Sequence, residues 1–481
     1  MSHATCCCLG RVLCFLAGDG NTVAVLFVFF ISTQLACSGD TMRIDRKRSS
    51  IGRPGMGMPL LLAVFLAGCS QQTSHNGKTT GEWIDQLAKS ANRNQARDGE
   101  SASSDRARFE AKEARDALAE IEPDPSAIEK LFDSLRWPEV FSLLDRFTAE
   151  DCASVAPFLS SQLEEKAPLK RTYALRLLGR AGHLAESHVD SVIDGVENEK
   201  VVAIRTLAIE ATAKMGDESK VLPVLHRLLD DPETGIRAAA IRGLGDVGPA
   251  ASGELEFLLS GLEVGSNEDS SEPKLKEEDP ACQVAIAYAL GGIGQASQKA
   301  VDSVYRLILI TKQYTGSTLD ANLATIVRAI HDLGADKQTV ADALVLSLMR
   351  RQIVARDAAR KNNKIEMSDA GLNELLDEIG PAIVVELADI AENGGPVLRV
   401  TEISDGFGES SRLFSTTAGR SGGINSRSWA IWQLSSLGSK AKSAIPQLVR
   451  IYESGHEVLG PKAEAAIKQI DPTALEDTQK D

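Results

Sequence analysis

Residues 236–248, IRAAAIRGLGDVG, carry the pattern that most limits how this chain can fold. Small or aliphatic residues recur there every three or four positions, which is the period of one helix face. The alanines and glycines on that face allow a second helix to approach closely, and Gly248 suits a left-handed turn that ends a helix. A second apolar stretch, residues 221–229, comes before it, and Asp231-Pro232 separates the two. The segment is therefore predicted to be a helix, a turn and a helix.

The same register returns along most of the chain. Counted from its first arginine, the pattern is apolar or small at +3 and +4, aliphatic at +7, small at +8, aliphatic at +10 and Gly at +11. Full or nearly full copies start at Arg171, Arg205, Arg237, Gln283, Leu323 and Arg427, and weaker copies end at Glu122, Gly380 and Asp471. Most copies end about 30–47 residues apart, the spacing of two-helix repeats. The chain is therefore predicted to be a repeat protein.

This pattern resembles the HEAT-like repeats first described in phycobilisome lyases, which are related to HEAT and armadillo arrays. Those repeats carry Asp-Pro between the helices and Arg at the start of the second helix, as in Asp231-Pro232 and Arg237. The resemblance covers roughly residues 81–475. It implies an all-α fold, a right-handed α-α superhelix of about eight to nine helix pairs, and says little about activity.

Two insertions and a tail interrupt or end the predicted solenoid. An acidic insertion lies near residues 265–279, and a Gly- and Ser-rich one lies at 404–426. The second is too long for an ordinary helix connection, so it is predicted to be a loop. Residues 476–481 form a polar tail.

The amino-terminal part has the features of an export signal. Residues 42–53 are basic, and residues 58–68 are apolar but too short to span a bilayer comfortably. The stretch ends in Leu-Ala-Gly-Cys at Cys69, which resembles the lipobox of bacterial lipoproteins. The resemblance implies that 42–68 is a signal peptide and that Cys69 carries the lipid. The residue after it, Ser70, is not Asp, which resembles outer-membrane sorting in Gram-negative lipoproteins.

The signal-peptide hypothesis also leads to an interpretation of the residues on either side of it. Residues 1–41 are interpreted as an extension that lies upstream of a true start at Met42. The alternative is one long leader that ends near Ala36-Cys37, although Gln34 stands where a lipobox has Leu. Residues 69–80 are polar and are predicted to form a tether. The protein is then expected in the bacterial cell envelope, held at the membrane by its lipid and facing the periplasm or outer membrane.

Charge and cysteine content limit the possible partners. The formal net charge is −15. Binding of phosphate backbones needs clustered Lys and Arg, so nucleic acid is not an expected partner. Beyond Cys69, the mature chain would keep only Cys152 and Cys282, which the register places three repeats apart. They are predicted to stay unpaired.

Arginine recurs at one position of the repeat, as Arg171, Arg205, Arg237 and Arg427. One interpretation is a ladder of guanidinium groups that binds anions. The other is that each arginine pairs with an acid or a helix carboxyl end in a neighbouring repeat and aligns the stack. Recurrence at one structural position favours the second.

The sequence indicates no catalytic or metal site. Some HEAT-like di-iron hydroxylases use repeated His-Glu dipeptides, and a single pair, His456-Glu457, cannot build a two-metal site. Residues 291–294 are Gly-rich but end a helix, and residues 405–408 lack the Lys of a phosphate-binding loop. No cofactor is therefore expected.

A non-enzymatic scaffold that binds a protein partner, of unknown identity, is the leading functional hypothesis. A bilin-lyase-like enzyme or enzyme subunit, and a small-molecule binder that uses the 404–426 loop, are the alternatives. The residues of that loop predicted to contact a partner are Phe407, Arg412, Phe414 and Arg420. Trp429 and Trp432 follow the loop. Either both belong to the core, or one of them forms a peptide groove together with the loop.

Overall fold

The structure is a computed structural model that describes residues 74–95, 101–264, 275–295, 297–310, 318–360, 370–396, 398–404, 410–416 and 423–475. These residues all belong to one compact unit, Gln71–Asp481. The predicted extension at 1–41, the signal peptide at 42–68, Cys69 and the tail at 476–481 lie outside the described residues.

A short hairpin begins the described chain. Its strands are β1 (Ser74–His75) and β2 (Lys78–Thr79), and Asn76 and Gly77 join them with positive φ angles of 53° and 75°. Two such residues give the turn that matches the twist of a hairpin. The indole N–H of Trp83 donates to the carbonyl of His75 at 3.1 Å, which holds the hairpin on the first helix. The prediction of a tether over 69–80 is therefore wrong from residue 74 onward.

The first helices are of uneven length. Their bounds are α1 (Thr80–Gln95), α2 (Ser101–Glu120), α3 (Ile128–Asp133), α4 (Pro138–Leu144), α5 (Ala149–Ser154) and α6 (Ala156–Ser161). Prolines begin α4 and lie in the first turn of α6, where a missing N–H costs nothing.

A regular array of helices follows. Its members are α7 (Pro168–Ala181), α8 (Val189–Asn198), α9 (Val202–Met215), α10 (Glu218–Leu228), α11 (Thr234–Val247), α12 (Leu255–Gly261), α13 (Pro280–Ile293), α14 (Gln298–Ile310) and α15 (Thr318–Asp332). Between α12 and α13, Val264 and Leu275 form an isolated antiparallel bridge. The bridge closes the predicted acidic insertion, whose residues 265–274 lie outside the described part.

The last part of the array contains one long helix and one hairpin. Its elements are α16 (Lys337–Arg360), α17 (Ala370–Ile379), α18 (Val384–Asn393), β3 (Leu398–Ser404), β4 (Ser410–Thr416), α19 (Ile424–Ser436), α20 (Ile445–Glu453) and α21 (Leu459–Ile470).

The helices pack as an α-α superhelix. In the regular array the second helix of each pair contacts the second helix of the next, so that α7, α9, α11, α13 and α15 form one row. The first helices pack against the partners that follow them in sequence. The buried side chains form one continuous apolar core along the array. The predicted all-α superhelix is confirmed.

Small residues of the repeated register lie at the contacts within this row. A β-carbon at Gly245 of α11 would be 2.8 Å from the α-carbon of Ala289 in α13. A β-carbon at Gly291 of α13 would be 3.0 Å from the α-carbon of Ala329 in α15. Real β-carbons essentially never approach as closely as at Gly245, and at Gly291 the neighbouring helix would have to shift by a few tenths of an ångström, so glycine allows these backbones to pack closely. The alternation of small and aliphatic residues is therefore a contact pattern between repeats.

The segment predicted as a 404–426 loop is in part a β-hairpin, so that prediction is wrong for residues 410–416. Strands β3 and β4 pair antiparallel from Leu398↔Thr416 to Ser404↔Ser410. Strand β4 contacts α14, and β3 contacts α16, so the hairpin lies against helices of earlier repeats. The strand sequences LRVTEIS and SSRLFST contain several Ser and Thr residues and no helical apolar period, so helix periodicity gives no signal for them. Helix α19 already begins at Ile424, inside the predicted loop.

Candidate functional site

The recurring arginines bond within the array. Arg171 reaches Glu199 in the next pair with two hydrogen bonds, Nε–Oε2 at 2.7 Å and Nη2–Oε1 at 3.3 Å. Arg205 donates to the carbonyl of Val196 at 2.7 Å and pairs with Asp231 of the following turn at 3.5 Å. Both arginines therefore join adjacent helix pairs.

The other two arginines bond within their own helix pair, one to a turn and one to a helix end. Arg237 donates to the carbonyls of Asp231 and Pro232 at 2.9 and 3.2 Å. Arg427 donates to the carbonyl of Ala391, in the last turn of α18, at 3.0 Å. All four guanidinium groups thus have internal partners, which disfavours an anion-binding ladder. The hypothesis that they align the stack is confirmed for Arg171 and Arg205, which bond to the next helix pair, whereas Arg237 and Arg427 bond within their own pair.

The described residues contain no group of three or more His, Cys, Asp or Glu that could hold a metal ion. His456 has a structural contact, because its Nδ1 accepts from the backbone amides of Val458 and Leu459 at 3.3 and 3.4 Å where α21 begins. Among the helices in the described part of the chain, none is both long enough and apolar enough to cross a bilayer.

The residues predicted to bind a partner are only partly placed. Phe407 and Arg420, like Cys69, lie outside the described residues. Arg412 and Phe414 lie on β4, where their α-carbons pair with those of Glu402 and Val400. The predicted partner-binding contacts remain a prediction.

One cavity in the described part of the chain is a groove on three helices. It has a volume of about 870 Å³ and is lined by α16, α19 and α21. Helix α19 contacts α16 on one side and α21 on the other. We call this the tryptophan groove, and its lining residues are Leu348, Arg351, Gln352, Ala355, Ile424, Asn425, Ser428, Trp429, Ile431, Trp432, Ser435, Val458, Lys462, Ala465 and Ala466.

Two indole rings dominate this surface. Trp429 and Trp432 lie edge to face, with ring centroids 5.9 Å apart and planes at 82°. Trp429 is half-buried, whereas Trp432 is 43% exposed. Ile424 and Val458 at the groove edge are 41% and 43% exposed. Four large apolar side chains therefore share one concave surface with solvent, which is the type of patch that marks a binding site.

The groove exists because α21 presents small side chains beside the indoles. Ser428 of α19 accepts from Lys462 of α21 at 3.0 Å, and Ser435 donates to Gln469 at 2.7 Å. Both contacts join residues 34 positions apart, so the two helices run parallel and in register. In that register α21 contributes Ala465 and Ala466 to the lining, and their short side chains leave the volume open.

The charges of the groove have one sign. Lys462 and Arg351 are its ionisable lining residues, and no Asp or Glu lines it. Arg351 pairs with the buried Asp320 of α15 at 3.0 Å. Burial raises the pKa of Asp320, and the neighbouring Arg351 guanidinium opposes that rise. Lys462 has no carboxylate within 4 Å among the residues described, so its charge is available to a ligand.

Sequence analysis identified part of this site. The sequence predicts that both tryptophans lie in the core, or that one of them forms a groove with the 404–426 segment. The structure places Trp429 and Trp432 in a groove formed with α16 and α21, and Trp429 also packs against the core. The α16 contribution was missed, since nothing in the local pattern around Leu348 links it to a helix some eighty residues later. The available signal was a pair of tryptophans on one face of a helix in a chain with only four.

Comparison with known proteins supports the repeat assignment. Residues 156–245 match the family model of HEAT repeats. No curated protein sequence matches the chain significantly.

Solved structures with similar helix arrays are distant. An engineered protein solved by a structural genomics consortium is 17% identical, with 81% of this chain and 98% of that chain covered and a TM-score of 0.28. Kap121p is 13% identical, with 83% of this chain and 41% of its own covered and a TM-score of 0.31. Kap121p bound to Ste12p gives 11% identity, coverage of 83% and 40%, and a TM-score of 0.32. This chain thus spans less than half of Kap121p.

Proposed function

We propose that this protein is a protein-interaction scaffold that captures an apolar segment of a partner protein in the tryptophan groove. The exposed indole of Trp432, next to Trp429 in a cavity of about 870 Å³, is the observation that carries the proposal. Tryptophan is enriched among the residues that dominate binding energy at protein interfaces. Stacked helical repeats also offer extended surfaces for such partners.

We also propose a location for this protein. Cys69 is proposed to carry a lipid, and the protein would then act as a HEAT-like lipoprotein of the bacterial envelope. The support is the sequence of residues 42–69, with its basic stretch, short apolar run and Leu-Ala-Gly-Cys. The wild-type protein should incorporate labelled palmitate, and Cys69→Ala should abolish the label. A native protein that begins upstream of Cys69 and has no lipid mass would refute the anchor.

The groove is tested by crosslinking in the native membrane. A photoreactive residue in place of Gln352, which is exposed on the groove wall, should trap a discrete partner, and mass spectrometry should identify the crosslinked segment. When Trp432→Ala is combined with the photoreactive residue at position 352, binding of the partner should weaken by about 2 kcal/mol or more. Phe257→Ala is the matched control, because Phe257 is also 43% exposed but lies on α12. Equal capture by both variants, with unchanged circular dichroism, would rule out the groove.

The 404–426 segment is a second proposed contact surface, with Phe407, Arg412, Phe414 and Arg420 as its candidate residues. Replacing residues 399–422 with a short Gly-Ser link tests it, because chain closure entropy grows slowly with length. Reduced capture of the same partner would support a contribution from these residues. Unchanged capture would leave the tryptophan groove as the only proposed contact surface.

An enzyme or enzyme subunit of the bilin-lyase-like class is the alternative, and a small-molecule binder is a third. The first is supported only by the resemblance of the repeats to those of phycobilisome lyases. A chromophore or small molecule that copurifies with the native protein would favour these alternatives over the scaffold.

A further inference from the structure

The groove has the length of a short helix. On α19 its lining runs from Ile424 to Ser435, which is eleven positions and about 16 Å at 1.5 Å per residue. On the α21 side the lining positions run with helical spacing from Val458, which directly precedes the helix, to Ala466, and α16 contributes a similar stripe from Leu348 to Ala355. Three helices thus present facing stripes, and a fourth helix of about three turns would pack along them.

The walls favour a helix over an extended peptide. All three are α-helices, so their main-chain amides and carbonyls bond mostly within each helix. An extended segment would bury backbone N–H and C=O groups against these walls without partners, which is costly. A helix satisfies its own backbone and offers one apolar face, as in other complexes in which a helix lies in a groove.

Charge indicates what flanks that apolar face. The chain as a whole is acidic, at −15, yet the groove carries Lys462 and Arg351 and no acidic lining residue. Arg351 is already paired with Asp320, whereas Lys462 bonds only the neutral hydroxyl of Ser428 among the side chains described. A carboxylate on the ligand would complement Lys462, and a cation would meet uncompensated like charge.

We infer that the tryptophan groove takes an amphipathic α-helix of a partner protein, about three turns long, with a carboxylate that faces Lys462. This inference rests on the proposed scaffold function and names the class of partner. The apolar face of the helix packs on Trp429 and Trp432, and its acidic residue lies at the α21 side of the groove.

Synthetic peptides test the inference on the purified full-length protein. Two probes are helical 14-residue peptides with the same leucine face, one with Glu and one with Lys at the flanking position. The third is a peptide of the same length with the same leucines, in which prolines prevent a helix. Binding is measured by calorimetry and by the shift in tryptophan emission. The wild-type protein should bind the Glu peptide about fivefold more tightly than the Lys peptide, the effect of one exposed ion pair.

Charge reversal gives the decisive comparison. Lys462→Glu should invert the preference between the two peptides. Lys214→Glu, which makes the same change in net charge at an exposed site on α9, should leave the preference intact. Trp432→Ala should weaken both helical peptides at least tenfold. Ala465→Phe, which fills the groove at an exposed position without removing a contact, should do the same if Trp432→Ala proves unstable.

Three results would overturn the inference. They are tighter binding of the extended peptide, a preference that Lys462→Glu does not change, and a concentration-dependent dimer that Trp432→Ala abolishes, which would make a second copy of this chain the occupant. If the helices fail to bind while Trp432-dependent crosslinking in membranes persists, the helix inference fails and the scaffold function stands. If neither peptide binding nor Trp432-dependent crosslinking is observed, the proposed scaffold function is refuted as well.

Discussion

Gly292 of α13 lies so close to Gly245 of α11 that a β-carbon at position 292 would overlap the Gly245 carbonyl. The obstacle is backbone, which cannot swing aside as a flexible side chain can. The contact between these two helices therefore depends on the absence of a side chain at position 292.

Gly292→Ala should destabilise the protein by about 1–3 kcal/mol, because the two helices must separate to admit the methyl group. Thermal and urea unfolding measure the loss. Gly253→Ala is the control, since a β-carbon there meets nothing within 4 Å and the φ angle is not positive. An equally stable Gly292→Ala protein would contradict the close helix contact.

Leu244→Asp should cost several kcal/mol, since Leu244 is fully buried in α11 and the new carboxylate would have no partner. His456→Ala should cost about 1 kcal/mol or less, because it removes only two long hydrogen bonds from the amides of Val458 and Leu459, where α21 begins. Urea unfolding of the two variants compares them directly. Similar losses would refute the assignment of Leu244 to the core.

Glu199 should make stability depend on pH in the acid range. Burial acts to raise the pKa of Glu199, but hydrogen bonds from Arg171 and from the Val201 amide outweigh it and lower the pKa below 4.5. The folded protein thus holds this proton less tightly than the unfolded chain. The stabilisation is complete above pH 4.5 and is lost as the pH falls through the folded pKa.

Glu199→Gln removes this contribution and tests it. The variant should be about 1–3 kcal/mol less stable than the wild type at pH 7, since the lost bonds are charge-assisted and largely buried. The difference should shrink below pH 4.5 in urea unfolding measured from pH 7 to pH 3. A difference that stays constant over that range would contradict the role of the ion pair.

Cys152 and Cys282 should react slowly with thiol reagents in the native protein. Both are free and buried, as the repeat register predicted for unpaired cysteines. Burial raises the pKa of each thiol to about 11, so little thiolate is present at neutral pH. Alkylation followed by mass spectrometry should modify both thiols quickly only after denaturation. A peptide that links residues 152 and 282 would overturn the repeat alignment.

The fold could be predicted from sequence where structure depends on local periodicity. Gly248 ends α11 with a φ of 76°, and the register that contains it also supplies Gly245 at the helix contact. Arg171 was correctly assigned to stack alignment because its position recurs. In each case one short repeated pattern determines both the helix and its contact with the next helix, so both can be predicted from the sequence.

The remaining features depend on contacts that no local pattern encodes. Strand β4 contacts α14, which ends one hundred residues earlier. The tryptophan groove needs Leu348 of α16 beside α19, although the intervening chain contains two helices and a hairpin. Such long-range packing depends on the length of α16 and on the insertion after α18, neither of which has a periodic signature.

Helix α16 also changes how the array should come apart. It contacts α14, α15, α18, α19 and β3, so it joins elements from several successive layers. In an ordinary stack each layer touches only its neighbours, and the end layers can fray one at a time. Here, unfolding of α19 removes packing contacts from α16, and unfolding of α16 removes packing contacts from the layers on both sides of it. The carboxyl-terminal half should therefore open as one cooperative block, and a ligand in the groove would protect all of it from exchange with solvent at once.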